Sequence, residues 1–96
     1  MSAFNDILAE MQALHDKKAA DYGRDEDPFA NVRASEDFNV PGWQGCLIRA
    51  NDKMRRLQTY SKKGKLANEG VEDSLLDLAV YSVIALVLWR EKNPPA

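Results

Sequence analysis

The sequence predicts an all-α fold, a small bundle of about four helices that is completed by homo-oligomerisation. Apolar residues recur with helical spacing from Phe4 to Leu14, a long apolar segment runs from Leu75 to Trp89, and no segment alternates in the manner of a strand. With 96 residues the chain can build one core but not a generous one, so we expect a single domain over residues 1–96.

The amino-acid composition limits the kinds of partner that this protein is expected to bind. The chain is 45% hydrophobic and 29% charged, with a formal net charge of -2. Such a balance gives no bulk attraction to nucleic acid, so direct nucleic-acid binding is not expected. A single cysteine, Cys46, cannot form an internal disulfide, and no leader-like segment is present, so we expect a cytoplasmic protein. The apolar run from Leu78 to Trp89 is shorter than the ~20 residues of a membrane span, so no membrane contact is expected.

The first helix is predicted to begin after Ser2, which serves as its cap, and to stop at Gly23. In its polar tail, Lys18 and Tyr22 continue the line of His15 along one face. We expect this face of the helix to be directed toward the element against which the helix packs.

A short second helix is predicted next. Asp27 followed by Pro28 is typical of a helix start, and the helix would carry Phe29 and Val32. The segment 38–42, which contains proline and glycine, ends it.

The third helix is predicted to have an apolar stripe and a polar face. The stripe consists of Leu47, Ala50, Met54 and Leu57. The polar face, at spacings of three, four and seven residues, consists of Arg49, Asp52, Lys53 and Arg56. We expect the stripe to lie mainly away from the polar face.

The last helix is predicted to start near Val71 and to stop before Pro94. It is apolar around nearly its whole circumference from Leu75 to Trp89, and such a helix must be covered on all sides. Three short helices of one chain can hardly cover it, so we expect it to pack against symmetry mates.

Asp77 is the strongest candidate for a functional residue. It lies within the apolar run 74–81, and a carboxylate is almost never buried there unless a cation, a metal or hydrogen bonds compensate it. It would either bind a metal or ligand, or form a buried ion pair with Arg49 or Arg56 for structure alone. Both interpretations stay open at this point.

The neighbouring acids have alternative roles as well. Asp73 lies one turn before Asp77, a spacing that lets one helix hold an oxygen-seeking cation. Alternatively Glu69, Glu72 and Asp73 only favour the dipole at a helix start. Asp52 is either a metal ligand held ionised by surrounding cations or part of an exposed charge ladder.

Four cations are candidates for binding phosphate oxygens: Lys18, Arg49, Lys53 and Arg56. A solvated face would explain the lysines equally well. Four aromatic residues would either stack on a base or, as is more usual, belong to the core: Tyr22, Phe29, Phe38 and Trp43. We expect no catalytic role for His15, and we expect Cys46 to be a small packing residue.

Five motifs extend from the first helix to Tyr81. They are His15-Asp16-Lys17-Lys18, Asp21-Tyr22-Gly23, Asp27-Pro28-Phe29-Ala30-Asn31-Val32-Arg33, Arg49-x-x-Asp52-Lys53-x-x-Arg56-Leu57 and Glu69-x-x-Glu72-Asp73-x-Leu75-x-Asp77-Leu78-Ala79-x-Tyr81. In combination they resemble the nucleotide-modification-associated domain family of phages and bacteria. That family resembles a branch of the MazG-like all-α NTP pyrophosphohydrolases.

The resemblance implies an all-helical dimer or tetramer that takes part in phage-encoded nucleotide metabolism. It also implies a Mg²⁺ (or Mn²⁺) site and hydrolysis of a nucleoside triphosphate to a monophosphate and pyrophosphate. The implied metal ligands are Asp52, Asp73 and Asp77, and the implied phosphate-binding residues are Lys18, Arg49, Lys53 and Arg56. On this hypothesis Glu69 or Glu72 would position the attacking water as a general base.

Two alternatives come from other functional classes. MazG-type enzymes usually carry two acids three residues apart on each of two helices, whereas here Arg49 precedes Asp52 and Ser74 precedes Asp77. The incomplete acidic pattern and the surplus of cations favour a non-catalytic protein that binds and sequesters a nucleotide. The other alternative is a helical oligomeric adaptor.

Overall fold

Four α-helices and one short 3-10 helix form the regular structure of the residues that are described. The computed structural model describes residues 2–22, 29–66 and 70–95, without the side chains of residues 19, 21 and 22. The elements are α1 (Ala3–Tyr22), α2 (Ala30–Arg33), the 3-10 helix Ala34–Phe38, α3 (Gly42–Lys63) and α4 (Val71–Lys92). The described residues include no strand, which confirms the all-α prediction. None of the helices within these ranges combines the length and the apolar character needed to cross a bilayer.

The ends of the long helices follow the local signals in the sequence. The Ser2 hydroxyl accepts a hydrogen bond from the Asn5 amide at 3.1 Å, which satisfies one free donor at the start of α1. Gly64 follows α3 with a φ of 74°, the left-handed conformation that glycine adopts without strain, and its amide donates to the Tyr60 carbonyl at 2.7 Å. α4 begins at Val71 as predicted.

The short second helix differs in one detail from the prediction. It begins at Ala30, so Phe29 precedes the helix instead of lying within it. Asp27 and Pro28, which were expected to start it, lie outside the described residues. Val32 is buried, as a residue of the packed face should be.

Small residues form the face with which α3 packs against α4 and the 3-10 helix. The buried residues of α3 are Gly42, Gly45, Cys46 and Ala50. A Cβ atom built on Gly42 would lie 3.2 Å from Cδ1 of Leu88 on α4, so the two helices approach closely there. The predicted apolar stripe is wrong in part, because Leu47 and Met54 are exposed.

The core lies between α4, α3 and α2. Its buried apolar residues are Val32, Cys46, Val80, Ile84, Ala85 and Leu88, with Met11, Leu14, Phe29, Trp43 and Tyr81 packed against them. Trp43 and Trp89 join the start of α3 to the end of α4 in an edge-to-face pair, with ring centroids 5.2 Å apart.

The helices α1 and α4 both have apolar residues that are exposed within one chain. On α1 the exposed apolar residues are Phe4, Ile7 and Leu8, and on α4 they are Leu75, Val83, Leu86, Val87 and Trp89. Residues of both helices border a shallow apolar groove of about 370 Å³, among them Leu8, Met11, Val83 and Val87.

Candidate functional site

Asp77 connects three helices through its carboxylate. Lys18 on α1 donates a hydrogen bond to Oδ1 at 2.7 Å, and Lys53 Nζ on α3 lies 3.0 Å from Oδ2. The Asp77 side chain is 6% exposed, against 18% for Lys53 and 42% for Lys18. The sequence predicted Arg49 or Arg56 as the ion-pair partner of Asp77. Within the described residues, the ion-pair partners of Asp77 are instead Lys18 and Lys53.

The position of Lys53 follows from the packing face of α3. Cys46 and Ala50 are buried on this face, and continuing their helical spacing by three residues gives Lys53. Because the face consists of small residues, α4 lies close enough for the lysine to reach Asp77. Lys53 therefore extends the packing face of α3, whereas the sequence predicted an apolar stripe that lies mainly away from Lys53.

The two lysines keep Asp77 charged in spite of its burial. Burial raises the pKa of the carboxyl group, but the hydrogen bonds and positive charges of Lys18 and Lys53 lower the pKa to below the usual value of an aspartic acid. Asp77 is therefore a carboxylate at neutral pH.

A cavity of about 500 Å³ opens beside this ion-pair cluster. Its charged and polar walls are formed by Lys18, Asn31, Arg49 and Asp77, from four different helices. The charged residues of the described lining are two cations, Lys18 and Arg49, and one carboxylate, Asp77. Lys18 and Arg49 therefore bring positive charge to a partly enclosed space, where electrostatic attraction for an anion is stronger than on an open surface.

Aromatic side chains form another wall of the same cavity. His15 and Phe29 stack with their ring centroids 5.6 Å apart and their planes 29° apart, and Tyr81 of α4 also lines the cavity. Val80 and Ile84 form apolar parts of the lining. The cavity therefore has both a cationic and an aromatic side, which suits a ligand with a negative charge and a flat ring.

Phe29 also has a cationic neighbour, Arg33, which belongs to a second ion pair. The Arg33 guanidinium lies 6.0 Å from the centre of the Phe29 ring. It also binds Glu91 of α4 through both carboxylate oxygens, at 2.8 and 3.0 Å. Such a two-pronged contact fixes the orientation of the guanidinium and with it one side of the aromatic wall.

Only some of the site residues that were predicted from the sequence lie together in the structure. Lys18, Arg49 and Asp77 line the cavity. Lys53 lies outside the described lining but contacts Asp77. The predicted metal ligands Asp52 and Asp73 and the predicted base Glu72 are exposed and lie outside the described lining. Arg56 is half-buried and is likewise outside this lining. Glu69 and the side chain of Tyr22 lie outside the described residues.

The described acidic residues do not fit a metal centre. Among residues 2–22, 29–66 and 70–95, no group of three or more Asp, Glu, His or Cys side chains is arranged to hold a metal ion. Both oxygens of Asp77 already accept contacts from ammonium groups. We therefore assign no reaction step to a metal.

Three polar or aromatic residues of the described lining were not recognised as site residues from the sequence: His15, Asn31 and Tyr81. His15 is three residues before Lys18, and Tyr81 is four residues after Asp77, so each shares a helix face with a residue that was recognised. This spacing could have identified both. Asn31 is brought to the cavity by the tertiary fold, and its local sequence gives no comparable signal.

Comparisons with protein-family models, with curated proteins and with solved structures find no match to this chain.

Proposed function

We propose that this protein binds a nucleotide in the cavity beside Asp77. The observation that carries the proposal is the convergence of Lys18 and Arg49 with three aromatic side chains on one cavity of about 500 Å³. Small-molecule sites are typically cavities of roughly 300–1,000 Å³ with mostly apolar walls and a few oriented polar groups. A nucleotide carries the two chemical groups that these walls match, a polyphosphate and a flat base.

The phosphates would lie against Lys18 and Arg49. An arginine can contact two phosphate oxygens at once, and a lysine supplies a mobile point charge. Because Lys53 also contacts Asp77, Lys18 can turn its ammonium group toward a phosphate without leaving the carboxylate uncompensated. Binding of this kind uses the protein's own cations, so it does not require a divalent metal.

Calorimetric titration with nucleoside triphosphates in the presence of a metal chelator tests this proposal. We expect the wild-type protein to bind, and Lys18→Gln and Arg49→Gln to weaken binding about tenfold each, the equivalent of one charge-assisted hydrogen bond. Arg55→Gln is the matched control, since Arg55 is exposed on the same helix as Arg49 and does not line the cavity. A folded wild-type protein that binds none of the nucleotides would refute the proposal.

A second candidate function is hydrolysis of the bound nucleotide to a monophosphate and pyrophosphate, with water as the co-substrate. The ionised carboxylate of Asp77 at the cavity wall favours it, as does the resemblance described above. The resemblance implies Mg²⁺ or Mn²⁺ as a cofactor, which the described acidic side chains do not fit. Glu69 or Glu72 as a general base remains a prediction.

Product analysis separates binding from turnover. Wild-type protein and Asp77→Asn are incubated with each nucleoside triphosphate and Mg²⁺, and monophosphate and pyrophosphate are quantified. Hydrolysis by the wild type that is lost in Asp77→Asn supports the enzyme. Nucleotide recovered unchanged from a folded protein that binds it supports sequestration.

We also propose that the chain assembles with copies of itself. The support is the uncovered apolar surface that α1 and α4 share, which includes Leu8, Val83 and Val87. Contiguous apolar patches of this kind are characteristic of interaction surfaces.

A further inference from the structure

The helix α1 packs against the rest of the chain through a shallow contact. None of the α1 residues whose side chains are described is buried. In α4, by contrast, Val80, Ile84 and Leu88 belong to the buried core. The half-buried residues of α1 follow one helical stripe: Met11, Leu14, His15 and Lys18. An element that buries little apolar surface opens locally more easily than the core, so we expect α1 to open more easily than α4.

The ion pair between Lys18 and Asp77 supplements this apolar contact. Lys18 Nζ lies 2.7 Å from Asp77 Oδ1, and the Lys18 side chain is 42% exposed. Because water screens a charge that is partly exposed, such a pair adds little stability. Lys53 Nζ lies 3.0 Å from the other oxygen of Asp77, and the two ammonium groups repel each other, which weakens the hold on Lys18 further. The contacts of α1 within the chain therefore leave its position open to influence by a ligand.

An anion in the cavity would add a new attraction between α1 and α3. Lys18 of α1 and Arg49 of α3 both line the cavity. A phosphate group that lies between them attracts both cations, and so connects two helices whose like charges repel each other. His15 of α1 also lines the cavity, where it stacks on Phe29. The wall that α1 contributes to the cavity is therefore lost when the helix opens.

We infer that α1 is a closing element of the cavity, and that phosphate groups bound between Lys18 and Arg49 hold this helix against the rest of the chain. The inference rests on the proposed function, because it assigns the regulation of the same site. By linkage, the factor by which the docked helix strengthens binding equals the factor by which the ligand stabilises the docked helix. Since the contact with Lys18 is worth about tenfold in affinity, saturating ligand should reduce the opening of α1 about tenfold.

Hydrogen–deuterium exchange measures the opening of α1 directly. In the protein alone, the backbone amides of α1 should exchange faster than those of the buried face of α4. The nucleoside triphosphate that binds most tightly in the titrations above, at saturation and with a metal chelator, should slow the exchange of α1 about tenfold. Two results would overturn the inference while the binding site stands. One is exchange of α1 as slow as that of α4 in the protein alone, and the other is exchange of α1 that the bound nucleotide leaves unchanged.

Two substitutions in α1 separate the role of Lys18 from the stability of the helix. Lys18→Gln and Met11→Ala should both speed the exchange of α1 in the protein alone, since each removes a contact of this helix. Met11 lies outside the described cavity lining, so the bound nucleotide should still slow α1 about tenfold in Met11→Ala. In Lys18→Gln the slowing should be less than about twofold, because the ammonium group that contacts the phosphate is gone. Equal slowing in the two variants would overturn the role of Lys18.

Lys17→Gln is the matched control for charge, since Lys17 is exposed on the same helix and lies outside the described lining. It should behave like the wild type in both states, and circular dichroism spectra establish that all variants are folded. A reduction of the slowing in Lys17→Gln as large as in Lys18→Gln would also overturn the role of Lys18. A folded wild-type protein that binds no nucleoside triphosphate would instead overturn the proposed function, and the inference with it.

Discussion

The carboxylate of Asp77 holds together side chains from three helices. Lys18 of α1 and Lys53 of α3 each contact one of its oxygens, and Asp77 itself belongs to α4. A buried ion pair is a modest net stabiliser, but removal of one partner leaves the remaining charges uncompensated. The cluster is therefore a place where a single substitution has a large effect.

We predict that Asp77→Asn lowers the free energy of unfolding by about 1–3 kcal/mol. Loss of one partner of a fully buried pair costs roughly 3–5 kcal/mol, and the partial exposure of Lys18 reduces that cost because water screens its charge. Urea denaturation measures the change. The control Asp52→Asn removes an exposed carboxylate and should stay within about 0.5 kcal/mol of the wild type. Equal stability of both variants would contradict the role given to the ion pairs.

Acid should destabilise the protein partly through Asp77. The pKa of this group is lower in the folded state than in the unfolded state, so the unfolded chain takes up the proton at the higher pH. The stabilisation is fully present above the usual pKa of aspartic acid, about 4, and is lost as the pH falls from there through the folded pKa. Melting temperatures measured between neutral pH and pH 3 should fall less steeply for Asp77→Asn than for the wild type. Parallel curves for the two proteins would show that another group is responsible.

At the scale of the helices, the close packing of α3 depends on residues without large side chains. Gly45 lies against the 3-10 helix, where a Cβ atom would be 2.4 Å from Oγ and 2.8 Å from Cβ of Ser35. Ser35 is itself held in place, because its hydroxyl donates a hydrogen bond to the Val40 carbonyl at 2.9 Å. The connection into α3 therefore leaves no space for one additional methyl group.

We predict that Gly45→Ala destabilises the protein although alanine is the better helix former. The gain in helix propensity is about 1 kcal/mol, whereas overpacking costs about 1–3 kcal/mol, and the rigid backbone nearby favours the upper part of that range. We expect a net loss of about 1–2 kcal/mol in urea denaturation. Gln44→Ala, at an exposed position one residue earlier, should have almost no effect. A stabilised Gly45→Ala protein would show that the 3-10 helix moves aside without cost.

Local sequence signals predicted where the helices lie but not how α3 is rotated about its axis. The starts of α1 after Ser2 and of α4 at Val71 were predicted correctly, because the signals at a helix start come from residues close in the chain. The buried face of α3 was predicted from Leu47 and Met54, the larger apolar residues, but the structure buries smaller ones. Which face is buried depends on how closely α4 approaches, which is a tertiary property.

The surroundings of Asp77 also depend on tertiary packing and were therefore predicted only in part. Asp77 was predicted to need a cation because a buried charge is costly whatever the fold. The partner was predicted to be an arginine of the third helix, yet the rotation of α3 brings Lys53 to Asp77, and α1 contributes Lys18. The aromatic wall was not assembled from the sequence, since His15, Phe29 and Tyr81 belong to separate segments that meet only in the folded chain.

At the scale of the whole molecule, α1 and α4 have more apolar surface than one chain covers. Val83 is 53% exposed, and Ile7, Leu8 and Leu86 are exposed to a similar extent. The sequence predicted an apolar circumference for the last helix, and the structure places one part of it in the core and another part at the surface. The proposed self-association would bury the second part.

We predict that Val83→Glu shifts the protein toward monomers, because it places a charge in the apolar patch between α1 and α4. Sedimentation velocity over a range of concentrations should show an oligomer for the wild type and a smaller species for the variant. Gln58→Glu adds the same charge at an exposed position of α3 and should sediment like the wild type. A monomeric wild type at all concentrations would contradict the proposed assembly.

The position of the tryptophan pair determines what an optical unfolding experiment detects. Both tryptophans of the chain, Trp43 and Trp89, lie where the start of α3 meets the end of α4. Intrinsic fluorescence therefore reports the separation of these two helices, whereas far-ultraviolet ellipticity also follows α1. If α1 detaches first, ellipticity will fall before the emission spectrum changes, and the difference between the two curves will measure how strongly the first helix is held.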